Sequence, residues 1–235
     1  MTRALRACVA TATLMAALAV AGPAGGANEC DGLMVCVPVA GPWVVLPTSG
    51  AAPRPNVEYQ LTCPRGHVVG GLDARLSDRA VDVSFLGLLG SPVNPGITTS
   101  RSAVFLGSYV GATARAPSFR PFIGCMPAAG GGQRVPTAAG AFRPGRPTVR
   151  RVKTVRVRPG ATTVVQACGA RERLVGASHA FGFFTKAPPS ASLAASVNGT
   201  QSLSDRRVAV RVRGDAELED VRAVVQVQAV CTRAQ

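Results

Sequence analysis

Apolar and polar residues alternate in four separate stretches of the chain. Val57, Tyr59, Leu61 and Cys63 alternate with Glu58, Gln60 and Thr62, and Val81, Val83 and Phe85 alternate with Asp82 and Ser84. Val208, Val210 and Val212 alternate with Ala209, Arg211 and Arg213. Val225, Val227, Ala229 and Cys231 stand opposite Gln226 and Gln228. Successive side chains of a strand point to opposite faces, so each stretch predicts a strand with one apolar face. Cys63 and Cys231 fall on those apolar faces, where a bridge between packed sheets belongs. Asn94-Pro95-Gly96 and Asn198-Gly199 predict turns between strands. Phe181, Phe183 and Phe184, with Phe85 and Leu86, are expected in the core. Beyond residue 27 no window sustains apolar residues at i, i+3, i+4 and i+7, the helical signature. The nearest approach, residues 216–224, carries acids and runs into the Val-Gln alternation, so it predicts a turn entering a strand.

The pattern occurs twice. Cys63-Pro64-Arg65-Gly66-His67-Val68-Val69-Gly70-Gly71 resembles Cys168-Gly169-Ala170-Arg171-Glu172-Arg173-Leu174-Val175-Gly176. The cysteines are offset by 105 residues. An offset of 106 carries Val68-Val69-Gly70 onto Leu174-Val175-Gly176, which implies one residue inserted after Cys168. The same offset of 106 carries Arg101-Ser102-Ala103-Val104 onto Arg207-Val208-Ala209-Val210, and Cys125 onto Cys231. Abundant Ala, Val, Gly and Arg create chance matches, but one offset recurring at three places favours a duplication. Trp43-Val44-Val45-Leu46 opens the first copy, with Val155-Arg156-Val157-Arg158 as its counterpart. The expected fold is therefore all-β: two tandem, related, antiparallel β-sandwich-like domains, each tied by one disulfide. Residues 28–127 hold an N-terminal segment and the first repeat. Residues 128–147 are a Gly/Pro/Arg-rich linker, and 148–235 form the second repeat.

The start of the chain reads as an export signal. Arg3 and Arg6 are basic, residues 7–20 are apolar and uncharged, and residues 21–27 are small. That order is the signal-peptide signature, with cleavage expected before Asn28. The apolar run is shorter than the ~20 residues a spanning helix needs, and no later run spans either. Arg3 and Arg6 are not adjacent, which argues against a twin-arginine signal. Residues 46–50 superficially resemble a wall-sorting motif but lie far from the C-terminus and predict a turn. The expected location is secreted, periplasmic or in the cell envelope. Export changes the reading of the cysteines. With Cys8 lost in the signal, Cys30, Cys36, Cys63, Cys125, Cys168 and Cys231 remain. An even number in an exported chain implies disulfides. The repeat selects Cys63–Cys125 and Cys168–Cys231, leaving Cys30–Cys36. Zinc is disfavoured, because no Cys-x-x-Cys occurs and neither His has a second ligand at metal spacing.

Charge adds the only hint of a partner. The formal net charge is +14, and residues 128–167 hold eight basic and no acidic residues. Arg150, Arg151, Lys153, Arg156 and Arg158 interleave with Val149, Val152, Val155 and Val157, which predicts a strand with a basic exposed face. Such a ribbon, within residues 134–158, suits an anionic envelope polymer through Coulomb attraction. The bland reading is an edge strand guarded against aggregation by its charges. Phe142 is the sole aromatic in that segment, which disfavours nucleic acid, since base recognition uses stacking. Gly176-Ala177-Ser178-His179-Ala180 approaches a nucleophile elbow, but that motif needs a strand-turn-helix context the pattern does not supply. Arg213-Gly214-Asp215 reads as a strand end and turn, and Asn198-Gly199-Thr200 as a formal glycosylation sequon. No catalytic, cofactor-binding or metal-ligating residue is expected. The expected function is a non-enzymatic binding or cell-envelope protein that contacts an anionic polymer. The alternative is a secreted hydrolase or hydrolase accessory domain.

Overall fold

A computed structural model of the 235-residue chain describes residues 28–48, 55–86, 101–112, 116–128 and 148–233. The expected signal, the Asn94-Pro95-Gly96 turn, Arg134 and all of the expected linker except Ala128 lie outside the described residues. The protein is all-β. Its strands in the first half are β1 (Val37–Ala40), β2 (Trp43–Val45), β3 (Val57–Thr62), β4 (His67–Leu76), β5 (Val81–Leu86), β6 (Ser102–Tyr109) and β7 (Ser118–Pro127). The second half has β8 (Thr148–Val157), β9 (Gly160–Ala167), β10 (Glu172–Phe183), β11 (Val197–Ser204), β12 (Arg207–Gly214) and β13 (Ala223–Arg233). The one α-helix among the described residues, α1 (Ala191–Ala195), is a single turn capped by the Ser190 hydroxyl. A 3₁₀ turn at Ala216–Leu218 leads into β13, so residues 216–224 are a turn entering a strand.

These strands form three antiparallel sheets. The largest runs β8, β13, β10, β2, β7, β4, with β1 following β2 along the same edge of β7. The smaller sheets are β3–β6–β5 and β9–β12–β11. The alternation seen in the sequence gives each small sheet one apolar face. Val57, Tyr59 and Leu61 are buried on β3, and Val208, Val210 and Val212 on β12. Each face closes on part of the large sheet. One core joins Tyr59, Leu61 and Phe105 to Val44, Val69, Phe119 and Ile123. The other joins Val164, Val208 and Val210 to Phe183, Val225 and Val227. Phe85, expected inside, is 40 % exposed at the end of β5, where it packs edge-on against Phe105.

The halves share their large sheet. The three-residue β2 pairs with β7 on one side and β10 on the other. Val44 belongs to the first core, while its neighbour Val45 packs against the second. On β10, Ala180 faces the first core and Phe183 the second. The two small sheets therefore cover opposite faces of one continuous sheet.

Strand register refines the alignment of the two halves. Cys63 N–H donates to the Arg101 carbonyl, and Cys168 N–H to the Arg206 carbonyl. A β-bulge falls between Val69 and Gly71 opposite Cys125, and another between Leu174 and Gly176 opposite Cys231. These equivalences carry an offset of 105 from Cys63 through Arg101, not the 106 suggested by matching Val-Gly letters. The step to 106 occurs only between β6 and β7, so the expected insertion directly after Cys168 is corrected. Likewise Val44, not Trp43, is the equivalent of Val155, since they pair with Phe119 and Val225. The bridges are Cys30–Cys36, Cys63–Cys125 and Cys168–Cys231.

Asn198-Gly199 is not a turn. Both residues lie inside β11, paired with Arg213 and Val212, and the hairpin turns at Asp205-Arg206 instead. Glycine is needed at 199 for space, because a Cβ there would come within 2.7 Å of the Phe181 ring.

Candidate functional site

The five cations of β8 and its end do not form one basic face. They occupy positions 150, 151, 153, 156 and 158, and a strand sends odd and even positions to opposite faces. Arg151 and Lys153 pair in register with Ala229 and Val227, on the side of the second core. Arg150 and Arg156 pair with Val230 and Val224 on the other side. Two of the five are already engaged. Arg150 forms an ion pair with Glu58 of β3 and donates to the Gln228 side-chain amide oxygen at 2.5 Å. Arg151 holds Glu172 at 3.0 Å. The Gly169 N–H and then the Arg151 guanidinium hold the Glu172 carboxyl below the usual carboxylate range. Lys153, Arg156 and Arg158 remain exposed, without ion pairs among the described residues.

A second set of cations, missed in the sequence, lies next to these. The exposed face of the β9–β12–β11 sheet carries Arg207, Arg211 and Arg213 on its central strand. No Asp or Glu occurs in these three strands. Arg211 is flanked across the sheet by Thr163 and Thr200, and Arg213 by Ala161 and Asn198. A shallow cavity of about 430 Å³ is lined by Gly160, Ala161, Asn198, Thr200, Arg211 and Arg213. A neighbouring one of about 260 Å³ is lined by Arg156, Arg158, Pro159, Leu218 and Glu219. Pro159 lines one and its neighbour Gly160 the other, so the two cavities flank the β8–β9 corner. Arg156 lies on the face of β8 turned away from the second core, and Arg211 and Arg213 on the outer face of the small sheet. Glu219 is the acid among them. The alternation of Val208, Val210 and Val212 already placed Arg211 and Arg213 on an exposed face. Proximity to β8 was the part that required the fold.

A larger cleft of about 470 Å³ opens where the halves meet, lined by Leu46 and Val57 from the first half and His179, Phe181, Val197 and Gln201 from the second. His179 Nδ1 lies 2.9 Å from the Gln201 side-chain oxygen, and its ring meets Phe181 edge-on. Ser178 pairs in register with Gln228 and His179 with Val227, on opposite faces of β10. The Ser178 hydroxyl donates to Glu58 instead. The two residues therefore form no nucleophile–base pair. His67 is separate again, with Nδ1 3.2 Å from the Arg65 carbonyl at the start of β4.

Among the described residues, the one group with metal-like spacing is Cys168, Glu172 and Cys231. Its two sulfurs are bonded to each other, and a disulfide sulfur lacks the thiolate charge that binds metal. Compared with family models, curated proteins and solved structures, the chain matches none.

Proposed function

We propose that this is an exported, non-enzymatic envelope protein whose second half contacts an anionic polymer. The observation that carries this reading is the exposed, acid-free outer face of the β9–β12–β11 sheet, with Arg207, Arg211 and Arg213 on its central strand. Exposed Arg158 borders that face at the Pro159-Gly160 corner, and Arg156 and Lys153 extend the positive charge onto the two faces of β8. Arginine presents a planar fork that matches carboxylate and phosphate oxygens in pairs. Thr163, Thr200 and Asn198 add neutral hydrogen-bonding groups between the charges, as a hydroxylated polymer would use. The expected five-residue ribbon contracts to its three exposed members and gains Arg211 and Arg213. The face holds no aromatic ring for base stacking, which keeps nucleic acid disfavoured.

Export and tandem copying belong to the same proposal. Three disulfides are typical of chains that fold in an oxidising compartment. The backbone N–H of Asn28 donates to Asp73 at 2.6 Å, and cleavage before Asn28 would turn that group into an ammonium facing a carboxylate. Matched bulges and matched bridges in the two halves support an origin by duplication. Each half in this reading is a sandwich, joined through the shared sheet.

The test is retention of the secreted protein on immobilised polygalacturonate or on purified anionic wall polymer across a salt series. Retention should fall as salt rises, because screening limits exposed charges to about 8 Å at physiological strength. Changing Lys153, Arg156, Arg158, Arg211 and Arg213 to Gln should weaken retention at least tenfold. Folding should be nearly unaffected, since unpaired surface charges contribute little to stability. Equal retention of parent and variant at every salt concentration would leave these residues as solvated surface. The mass of the secreted chain checks the export claim, which requires Asn28 at its N-terminus.

A further inference from the structure

We infer that Arg75 and Arg120 form a site for a small oxyanion on the first half, separate from the polymer surface. The two residues face each other directly across β4 and β7. Directly opposed side chains in an antiparallel pair have Cβ atoms about 5 Å apart, and like charges in that position repel. Both guanidinium groups gather on one ring, with their carbons 5.5 and 5.4 Å from the Phe122 centroid. Burial, and after it the charge of Arg75, push Arg120 below the usual guanidinium range. Arginine does not lose its proton in proteins, so both charges persist.

Neither arginine has an ion-pair partner among the described residues. Among the described residues, ion pairs occur only at Arg150–Glu58 and Arg151–Glu172. Asp73, which sits opposite Phe122, accepts from Asn28 N–H at 2.6 Å and from Ala74 N–H at 2.7 Å and makes no ion pair with either arginine. Arg120 Nε donates to the Gly41 carbonyl at 3.0 Å. Arg75 Nε is buried and has no hydrogen-bond partner. A buried, unsatisfied donor is costly, and one on a guanidinium more so. Two opposed forks with a buried unused donor and no ion-pair partner suit an acceptor-only group carrying negative charge. A carboxylate, phosphate or sulfate has that chemistry and takes paired N–H donors. The equivalent positions in the second half, Ala180 and Gln226, form part of the interface between the halves, so the site has no twin.

Thermal unfolding of the secreted protein in phosphate, acetate or sulfate, each against chloride at matched ionic strength, tests the inference. At least one oxyanion should raise the unfolding temperature saturably, and which one responds identifies the class. Arg75→Gln and Arg120→Gln should each abolish the response. Arg75→Gln should not unfold below the parent in chloride, because it removes the repulsion and a donor that has no partner. Arg120→Gln also gives up the Gly41 hydrogen bond and is read by the lost response alone. The Arg211→Gln/Arg213→Gln variant should keep the full response, which separates this site from the polymer surface. Two results overturn the inference: no saturable difference between any oxyanion and chloride, or variants that lose stability in chloride yet keep the parent's response. The second would make the arginines simple supports for Phe122.

Discussion

Gln226 and Gln228 occupy positions that a period of two assigns to the polar face of β13, yet both are buried. They are buried because the edge of β3 lies against that face. Gln226 accepts from the Gln60 N–H at 2.6 Å and donates to the Gln60 carbonyl at 3.0 Å, as a neighbouring strand would. Gln228 donates to the Glu58 carbonyl at 3.1 Å. Two side chains thus satisfy an edge that would otherwise be open to further strands. Gln226→Leu keeps the volume but leaves a buried N–H and a buried carbonyl without partners. Each unsatisfied group costs about 1–3 kcal/mol, so the variant should lose roughly 2–6 kcal/mol in urea unfolding. A loss below about 0.5 kcal/mol would mean that water reaches the β3 edge and that the contact is not buried in solution. The sequence placed these glutamines on the correct face. It could not show that the face is covered, since the covering strand lies 166 residues away.

At the scale of elements, the strands were legible wherever one face is apolar. Val57–Leu61 and Val208–Val212 alternate because one side meets a core and the other meets water. The turn at 198–199 was misread because Asn-Gly favours turns by backbone preference, whereas Gly199 serves the approach of Phe181. Gly71 and Gly124 were equally opaque. They pair across β4 and β7, and a Cβ on either would come within 1.9 Å of the Glu29 carbonyl, so the N-terminal segment lies directly on them. The basic ribbon was misread for a simpler reason: its charges fall on both parities, and letters alone did not reveal the Arg150–Glu58 and Arg151–Glu172 pairs. The bridges follow from the elements they join. Cys63–Cys125 and Cys168–Cys231 close 62 and 63 residues, while Cys30–Cys36 closes six. Chain entropy assigns about 4 kcal/mol to each long bridge and about 2 kcal/mol to the short one. Replacing both cysteines of a pair with Ala should follow that order in urea unfolding. Equal losses for all three pairs would show that local packing, not loop closure, sets their contribution.

At the scale of the whole molecule, the described residues form one large sheet with a three-stranded sheet packed on each face, and that arrangement governs how it unfolds. Independent tandem domains would melt separately. Here β2 is hydrogen-bonded to both halves, Val44 and Val45 enter different cores, and the β3 edge is satisfied by Gln226 and Gln228. Unfolding the second half alone would expose Ala180 and strip the partners from Gln60. Unfolding the first alone would remove β2 from β10. Trp43, the only Trp in the chain, lies in β2 at 5 % exposure and pairs with Phe183, so its fluorescence reports the junction. Far-UV circular dichroism reports the strands of both halves. With the disulfides intact, the two signals should trace one coincident transition in urea, the mark of a single cooperative unit. A circular dichroism curve with two steps, only one of them shared with Trp43, would show that the junction yields before the cores. It would restore two independent domains. The same logic applies to a fragment of residues 148–235, which lacks β2 and β3. It should aggregate or self-associate when made alone, because its β10 edge and the face around Gln226 lose their cover. A monomeric, fully folded fragment would contradict the shared-sheet account even if the intact chain unfolds in one step.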